Sequence, residues 1–204
     1  MIKRTSKNTI EKVLKDNPNW KILDIGCGYS ANKFASTICD VQDLSNFYKD
    51  KEFIRLDGKS LPFKDKEFDF VITSHVLEHV KDVNIFIKEL ERVSKRGYIE
   101  LPTKLEDNLV FENKKDHLWW FFYDDVENIL VGSKKKQVLE PFLTVSVAKF
   151  LEEIFRDSLV IELFWENSIT YRVVSEEENN IVKKISFLSL VKKYFSKKIR
   201  SIYK

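Results

Sequence analysis

The sequence predicts an α/β fold: a Rossmann-like three-layer sandwich around a mostly parallel seven-stranded sheet with an antiparallel C-terminal hairpin. Three observations predict it. Short apolar runs alternate with segments of helical period, the pattern of parallel strands joined by crossover helices. The runs at 20–25 and 68–74 are apolar almost throughout, as strands covered on both faces are. The first run ends in Gly26-Cys27-Gly28, where glycines let backbone approach a ligand at a strand end.

In chain order, Thr9–Lys15 reads as a short amphipathic helix with Ile10, Val13 and Leu14 on one face, ended by Asn17-Pro18-Asn19. Trp20–Ile25 is a strand interrupted only by Lys21 and Asp24. Thr37–Leu44, Phe53–Leu56 and Phe68–Ser74 follow as strands. Val83, Phe86, Ile87, Leu90 and Val93 have helical spacing. Gly97–Leu101 is a strand ending at Pro102. Leu105–Lys136 has aromatic residues and charges but little period, and reads as an insertion, about 103–140, over the sheet edge. Ser146–Phe155 is helical. Leu159–Trp165 and Ile169–Val174 flank Asn167-Ser168 as a hairpin. A polar linker, Glu176–Asn180, leads to a helix or helix pair over Ile181–Lys204. The expected organisation is one domain over 1–178 and a tail over 179–204.

The 204 residues suit a single domain. Two cysteines, Cys27 and Cys39, are too few for a disulfide framework, and both fall in apolar segments; reduced thiols and a cytoplasmic setting are expected. Met1–Lys12 is polar and charged, unlike a signal peptide, and no apolar run approaches the ~20 residues of a membrane span. A net charge of +3 argues against a nucleic-acid partner. Its distribution is uneven: 181–204 holds eight of the 35 basic residues and no acid, leaving 27 bases against 32 acids, or −5, over 1–180. The tail's apolar residues (Phe187, Leu188, Val191, Tyr194, Phe195, Ile199, Ile202) recur at roughly helical spacing among its lysines. Such a helix can lie on an anionic membrane at the inner face, or dock on its own domain or a partner subunit.

Asp24, Asp43 and Asp57 lie at or just after three successive strands. An acid ~20 residues beyond the first strand can accept from ribose hydroxyls, and Asp43 follows Asp24 by 19. Asp57 is placed to accept from an adenine amine. Each of the three would otherwise cap a following helix. LDIGCG at 23–28, DLS at 43–45, the run from Leu56 to Val80 and RGYIELP at 96–102 closely resemble class I S-adenosylmethionine (SAM)-dependent methyltransferases of the type-11-like group. The resemblance covers about residues 20–102. It implies SAM as cofactor and S-adenosylhomocysteine (SAH) as product. It implies that Asp24, Gly26, Cys27 and Gly28 cradle the methionine end, that Asp43 and Leu44 meet ribose and adenine, that Asp57 and Gly58 meet adenine, and that Ser74 and His75 border the sulfonium. The group's third glycine is absent, Ser30 being nearest, and the stretch between the first two strands is short for a full helix.

His75, Glu78 and His79 spell H-x-x-E-H, which on a helix is an inverted zinc-protease pattern. The pattern falls inside the methyltransferase resemblance, so no metal is expected, and Glu78 and His79 are read as opening the helix after the strand. His117, in Asp116-His117-Leu118-Trp119-Trp120-Phe121, is the expected general base for a hydroxyl acceptor, with His79 the weaker candidate. Trp119 to Tyr123 line an acceptor pocket or cover the sheet edge. The expected activity is methyl transfer to oxygen of a small molecule or glycan, such as a lipid-linked surface polysaccharide. The alternative is a non-catalytic SAM-fold scaffold in an envelope-assembly complex.

Overall fold

The computed structural model describes residues 1–58, 60–175 and 186–202. Its centre is β2 (Ile22–Ile25), buried at every position. Parallel partners flank it: β3 (Thr37–Asp40) and β4 (Glu52–Arg55) on one side, β5 (Phe70–Ser74) and β6 (Arg96–Pro102) on the other. Successive side chains of a strand point to opposite faces, so consecutive apolar residues fill two cores. Leu23, Val71 and Ile99 pack on one face with Val83, Ile87, Leu90 and Val93 of α2 (Val83–Val93). Ile22, Phe70 and Ile72 pack on the other with Ile10 and Leu14 of α1 (Lys7–Asp16). The layered α/β architecture is as the sequence predicts.

The helices begin where their capping residues stand. Ser6 accepts from Thr9 N in α1, and Asp82 accepts from Ile85 N at 3.0 Å in α2. Each satisfies an amide that has no partner within its helix. Fully burying an α2 side chain such as Leu90 contributes about 1.5–3 kcal/mol, so the 3.6-residue period both places the helix and holds it.

The C-terminal hairpin expected in the main sheet does not form there. β9 (Val160–Glu166) is the antiparallel strand, paired with β6 from Arg96↔Glu166 to Pro102↔Val160. Its outer neighbour is β1 (Ile2–Arg4), antiparallel through Ile2↔Trp165. The sheet order is therefore β1-β9-β6-β5-β2-β3-β4. β10 (Tyr171–Val174) leaves the sheet and pairs in parallel with β8 (Ile129–Lys134). A three-residue strand carries too short a pattern to be read in advance, and of its residues Ile2 alone is buried.

The region 103–140 is folded. α3 (Lys104–Leu109) and α4 (Asn113–Asp116) precede a hairpin of β7 (Trp119–Asp124) and β8. Trp119, Phe121 and Tyr123 alternate into the α2-side core, while Phe122 is half exposed. The alternation was hidden because Trp120 and Phe122 on the opposite face are aromatic too. α5 (Val145–Leu159) returns the chain to β9. α6 (Phe187–Ile202) is one helix within the expected tail; the linker, residues 181–185 and residues 203–204 lie outside the described residues. Among the described residues, no helix is long and apolar enough to cross a membrane.

Candidate active site

After β2 the chain turns through residues 26–36 without a helix, as the short spacing implies. Gly26 has φ +68°, and a Cβ there would stand 2.5 Å from Val76 Cγ2, so only glycine fits. Gly26 N donates to Cys39 O at 2.8 Å. Asn32 N donates to Asp24 Oδ2 at 2.7 Å, and Gly28 N to Asp40 Oδ2 at 3.0 Å. Tyr48 Oη donates to Gly28 O at 2.8 Å and accepts from Ala31 N. Carboxylates and one phenol thus hold a loop that lacks helical hydrogen bonds.

Two hollows open at the carboxyl ends of the strands. The larger, about 900 Å³, is bordered by Asp24, Gly28, Ser74, Glu100, Glu106 and His117. The second, about 770 Å³, is bordered by Asp40, Val41, Asp57, Gly58, Ile85 and Phe86. Gly26, His75 and His79 border both. Sites of this volume at strand ends are where open α/β sheets bind ligands.

Most residues expected from sequence gather here. Asp24, Gly26, Cys27, Gly28, Ser74 and His75 border the first hollow, and Asp57 and Gly58 the second. Asp43 and Leu44 require correction. Asp43 is exposed, its Oδ1 accepting from Ser45 N and Oγ at 3.1 and 2.7 Å. Leu44 is buried in the α1-side core. Neither borders a hollow. β3 ends at Asp40, opposite Arg55, four residues before the strand end expected at Leu44. Asp40 and Val41 border the second hollow instead. An acid closing the Thr-Ile-Cys run was visible in the sequence; a spacing rule favoured the later one.

The H-x-x-E-H pattern is not helical. His75 has φ +55°, residues 77–79 form a turn, and α2 starts only at Val83. The His75 ring stands 3.4 Å from Glu78 Oε1 and 3.3 Å from Glu100 Oε1. Burial pushes this imidazole's pKa down, but the Glu100 and Glu78 carboxylates outweigh it and raise it to about 10. Glu100 is pushed up by burial, yet His75, Tyr98 and Arg156 hold it at about 2. Burial pushes Asp24 up to about 6, against the Asn32 amide. Burial, followed by the Glu152 carboxyl, raises Glu106 to about 8.

His117 is buried at the C-terminal end of α4. Its Nδ1 donates to Asp107 Oδ1, the second Asp107 oxygen accepts from Trp120 Nε1, and Lys135 Nζ lies 2.9 Å from that oxygen. His79 Nδ1 donates to Asp116 O at 3.0 Å, and its ring meets His117 edge to face at 4.5 Å. None of Trp119 to Tyr123 borders either hollow; Trp119, Phe121 and Tyr123 cover the sheet, and Trp120 holds Asp107. Nothing in the sequence tied Asp107, Glu106 or Arg156 to this site, because each reaches it from the insertion or from α5.

Residues 23–99 match the family model described as a methyltransferase domain. This stretch is similar to methyltransferase domains. It runs from β2 into β6 and includes Asp24, Asp40 and Asp57. The chain is 33% identical over 99 residues to the uncharacterized protein MJ1123 of Methanocaldococcus jannaschii, covering 45% of this chain and 47% of that protein. It is 27% identical over 124 residues to the ubiquinone biosynthesis O-methyltransferase of Pelagibacter ubique, covering 53% and 50%. It is 33% identical over 90 residues to the demethylmenaquinone methyltransferase of Corynebacterium urealyticum, covering 39% of each. The chain therefore spans half or less of the length of these curated relatives. Among solved structures, the PH0226 protein of Pyrococcus horikoshii aligns over 78% of this chain and 88% of its own, with 17% identity and TM-score 0.46.

Proposed function

We propose that the protein binds SAM across the two hollows and transfers its methyl group to a hydroxyl of a small-molecule or glycan acceptor. The supporting observation is the row of Asp24, Asp40 and Asp57 behind β2, β3 and β4, opening on hollows that meet at Gly26 and His75. The residues suit the cofactor. Asp24 faces the first hollow as an anion for an ammonium group. Asp40 offers carboxylate oxygens to ribose hydroxyls. Asp57 and the Cβ-free face of Gly58 suit an adenine edge. SAM supplies a methyl group activated by its sulfonium. The protein's share is alignment of acceptor and methyl, with the His79–His117 pair beside the acceptor's hydroxyl to assist its deprotonation. The acidic, hydrogen-bonding lining of the larger hollow favours a hydroxyl-rich acceptor.

Calorimetric titration with SAM and SAH tests this. Heat with both is expected; a folded protein giving none would favour a scaffold instead. Repeating it across pH tests Asp24. Its folded pKa of about 6 lies above the ordinary 3.8, so ionisation costs stability as pH rises between these values, and a bound ammonium returns it. Affinity should be full above about pH 6 and fall roughly tenfold per unit below. Asp24→Asn should bind more weakly with a flat profile. A flat wild-type profile removes Asp24 from the site.

The same proposal includes a membrane contact through α6. Leu188, Tyr194, Phe195 and Ile199 are exposed beside Lys192 and Lys193. Basic residues near an anionic surface contribute ~1 kcal/mol each. The protein should sediment with phosphatidylglycerol vesicles at low salt, and the double variant Lys192→Glu, Lys193→Glu should not. Wild-type protein left in the supernatant excludes the contact.

A further inference from the structure

Glu78 is wholly buried, yet neither carboxylate oxygen accepts a well-formed hydrogen bond; the His75 ring stands 3.4 Å from Oε1. A buried carboxylate is costly unless paired, and the His75 ion pair reaches only Oε1, which leaves Oε2 for a further partner. His79 and His117 stand beside it. Each of the three brings one ligand atom to within 4.8 Å of the other two.

The hydrogen bonds around the imidazoles define their tautomers. A backbone carbonyl can only accept, so His79 Nδ1 carries the proton it gives Asp116 O. The Asp107 carboxylate accepts in the same way from His117 Nδ1. In each neutral ring the lone pair is then on Nε2. An Nδ1–H held by a carboxylate or a carbonyl is how proteins orient histidines that bind metals.

We propose that Glu78, His79 and His117 hold a divalent transition ion such as Zn²⁺ or Co²⁺, which binds the acceptor's hydroxyl. This rests on the methyl-transfer reading and deepens it. Two imidazoles and one carboxylate form a set known to bind such ions with positions left open. Ligand atoms ~2.0–2.2 Å from zinc lie roughly 3–4 Å apart, so the cluster needs only a small contraction. His79 and His117 border the larger hollow, and His79 borders both, which puts the ion where acceptor and cofactor meet. A hydroxyl oxygen bound to the ion loses its proton near neutral pH, and the proton passes to water at the mouth. That oxygen takes the methyl carbon as the carbon–sulfur bond breaks and its electron pair returns to sulfur. The products are methyl ether, neutral SAH and one proton. His117 thus serves through the ion rather than as a lone base.

The test uses full-length, tag-free protein, stripped with chelator and titrated with Zn²⁺ and Co²⁺, with SAH binding measured on the same samples. One equivalent of metal is expected. Glu78→Gln and His117→Ala should each weaken it at least 10-fold, His79→Ala should do the same at an exposed position that tolerates truncation, and all three should still bind SAH. SAH binding without an equivalent of metal, or full metal affinity in Glu78→Gln, overturns the inference and leaves the methyl-transfer reading standing. Metal uptake without SAH binding sustains the site and overturns that reading.

Discussion

Asp40→Ala should weaken SAH binding roughly 10- to 100-fold, while Asp43→Ala leaves it unchanged. Asp40 borders the second hollow, with Gly28 N and Gln42 N on its two oxygens. Lone pairs remain on both to accept from ribose hydroxyls. Removing the carboxylate leaves two hydroxyls unpaired in a desolvated site, at a cost of about 1–3 kcal/mol. It also releases Gly28 N, which loosens the neighbouring loop in the same direction. Asp43 is exposed and bonded to Ser45 within its own turn, so its loss removes nothing the ligand touches. The two variants, compared by titration calorimetry with unfolding midpoints as a control, decide between the strand-end acid and the acid expected from spacing. Weak binding by Asp43→Ala with normal binding by Asp40→Ala would reverse the assignment.

Asp107→Ala should be among the most destabilising single changes in the chain. Asp107 is 1% exposed and serves His117, Trp120 and Lys135 together. The Lys135 side chain is itself only 5% exposed, so truncation strands a buried ammonium beside two unpaired N–H groups. Breaking one side of a buried pair costs about 3–5 kcal/mol, a fall in Tm of roughly 6–20 °C for a chain of this size. Asp107→Asn keeps the shape and one acceptor and should lose less. Thermal denaturation measures both. An Asp107→Ala midpoint within about 3 °C of wild type would show that the network carries little of the fold's stability. Where the protein remains folded, His117 is no longer oriented, so metal affinity should fall with it.

Periodicity alone determined a good deal. The α2 limits, Val83–Val93, follow from apolar spacing, and the strands β2 and β5 from unbroken apolar runs. Asp24, Gly26, Gly28, Asp57 and Gly58 were readable because the end of a central strand and the acids behind its neighbours are local features, each set within a few residues. The remainder depends on contacts between distant segments. Where β3 stops is decided by its pairing with β4, and that shifts the acid from Asp43 to Asp40. β1 takes the sheet's outer edge because β9 offers it an unpaired strand, a choice that three residues do not encode. Asp107 meets His117 only after the insertion folds against the strand ends, and Glu78 is left without a well-formed hydrogen bond only because the turn before α2 buries it. Local sequence specified the elements and most of the strand-end residues that border the hollows, since hydrophobic period and backbone freedom act over a few positions. Tertiary structure alone decided which charges lost water together, and so where the acceptor-side chemistry sits.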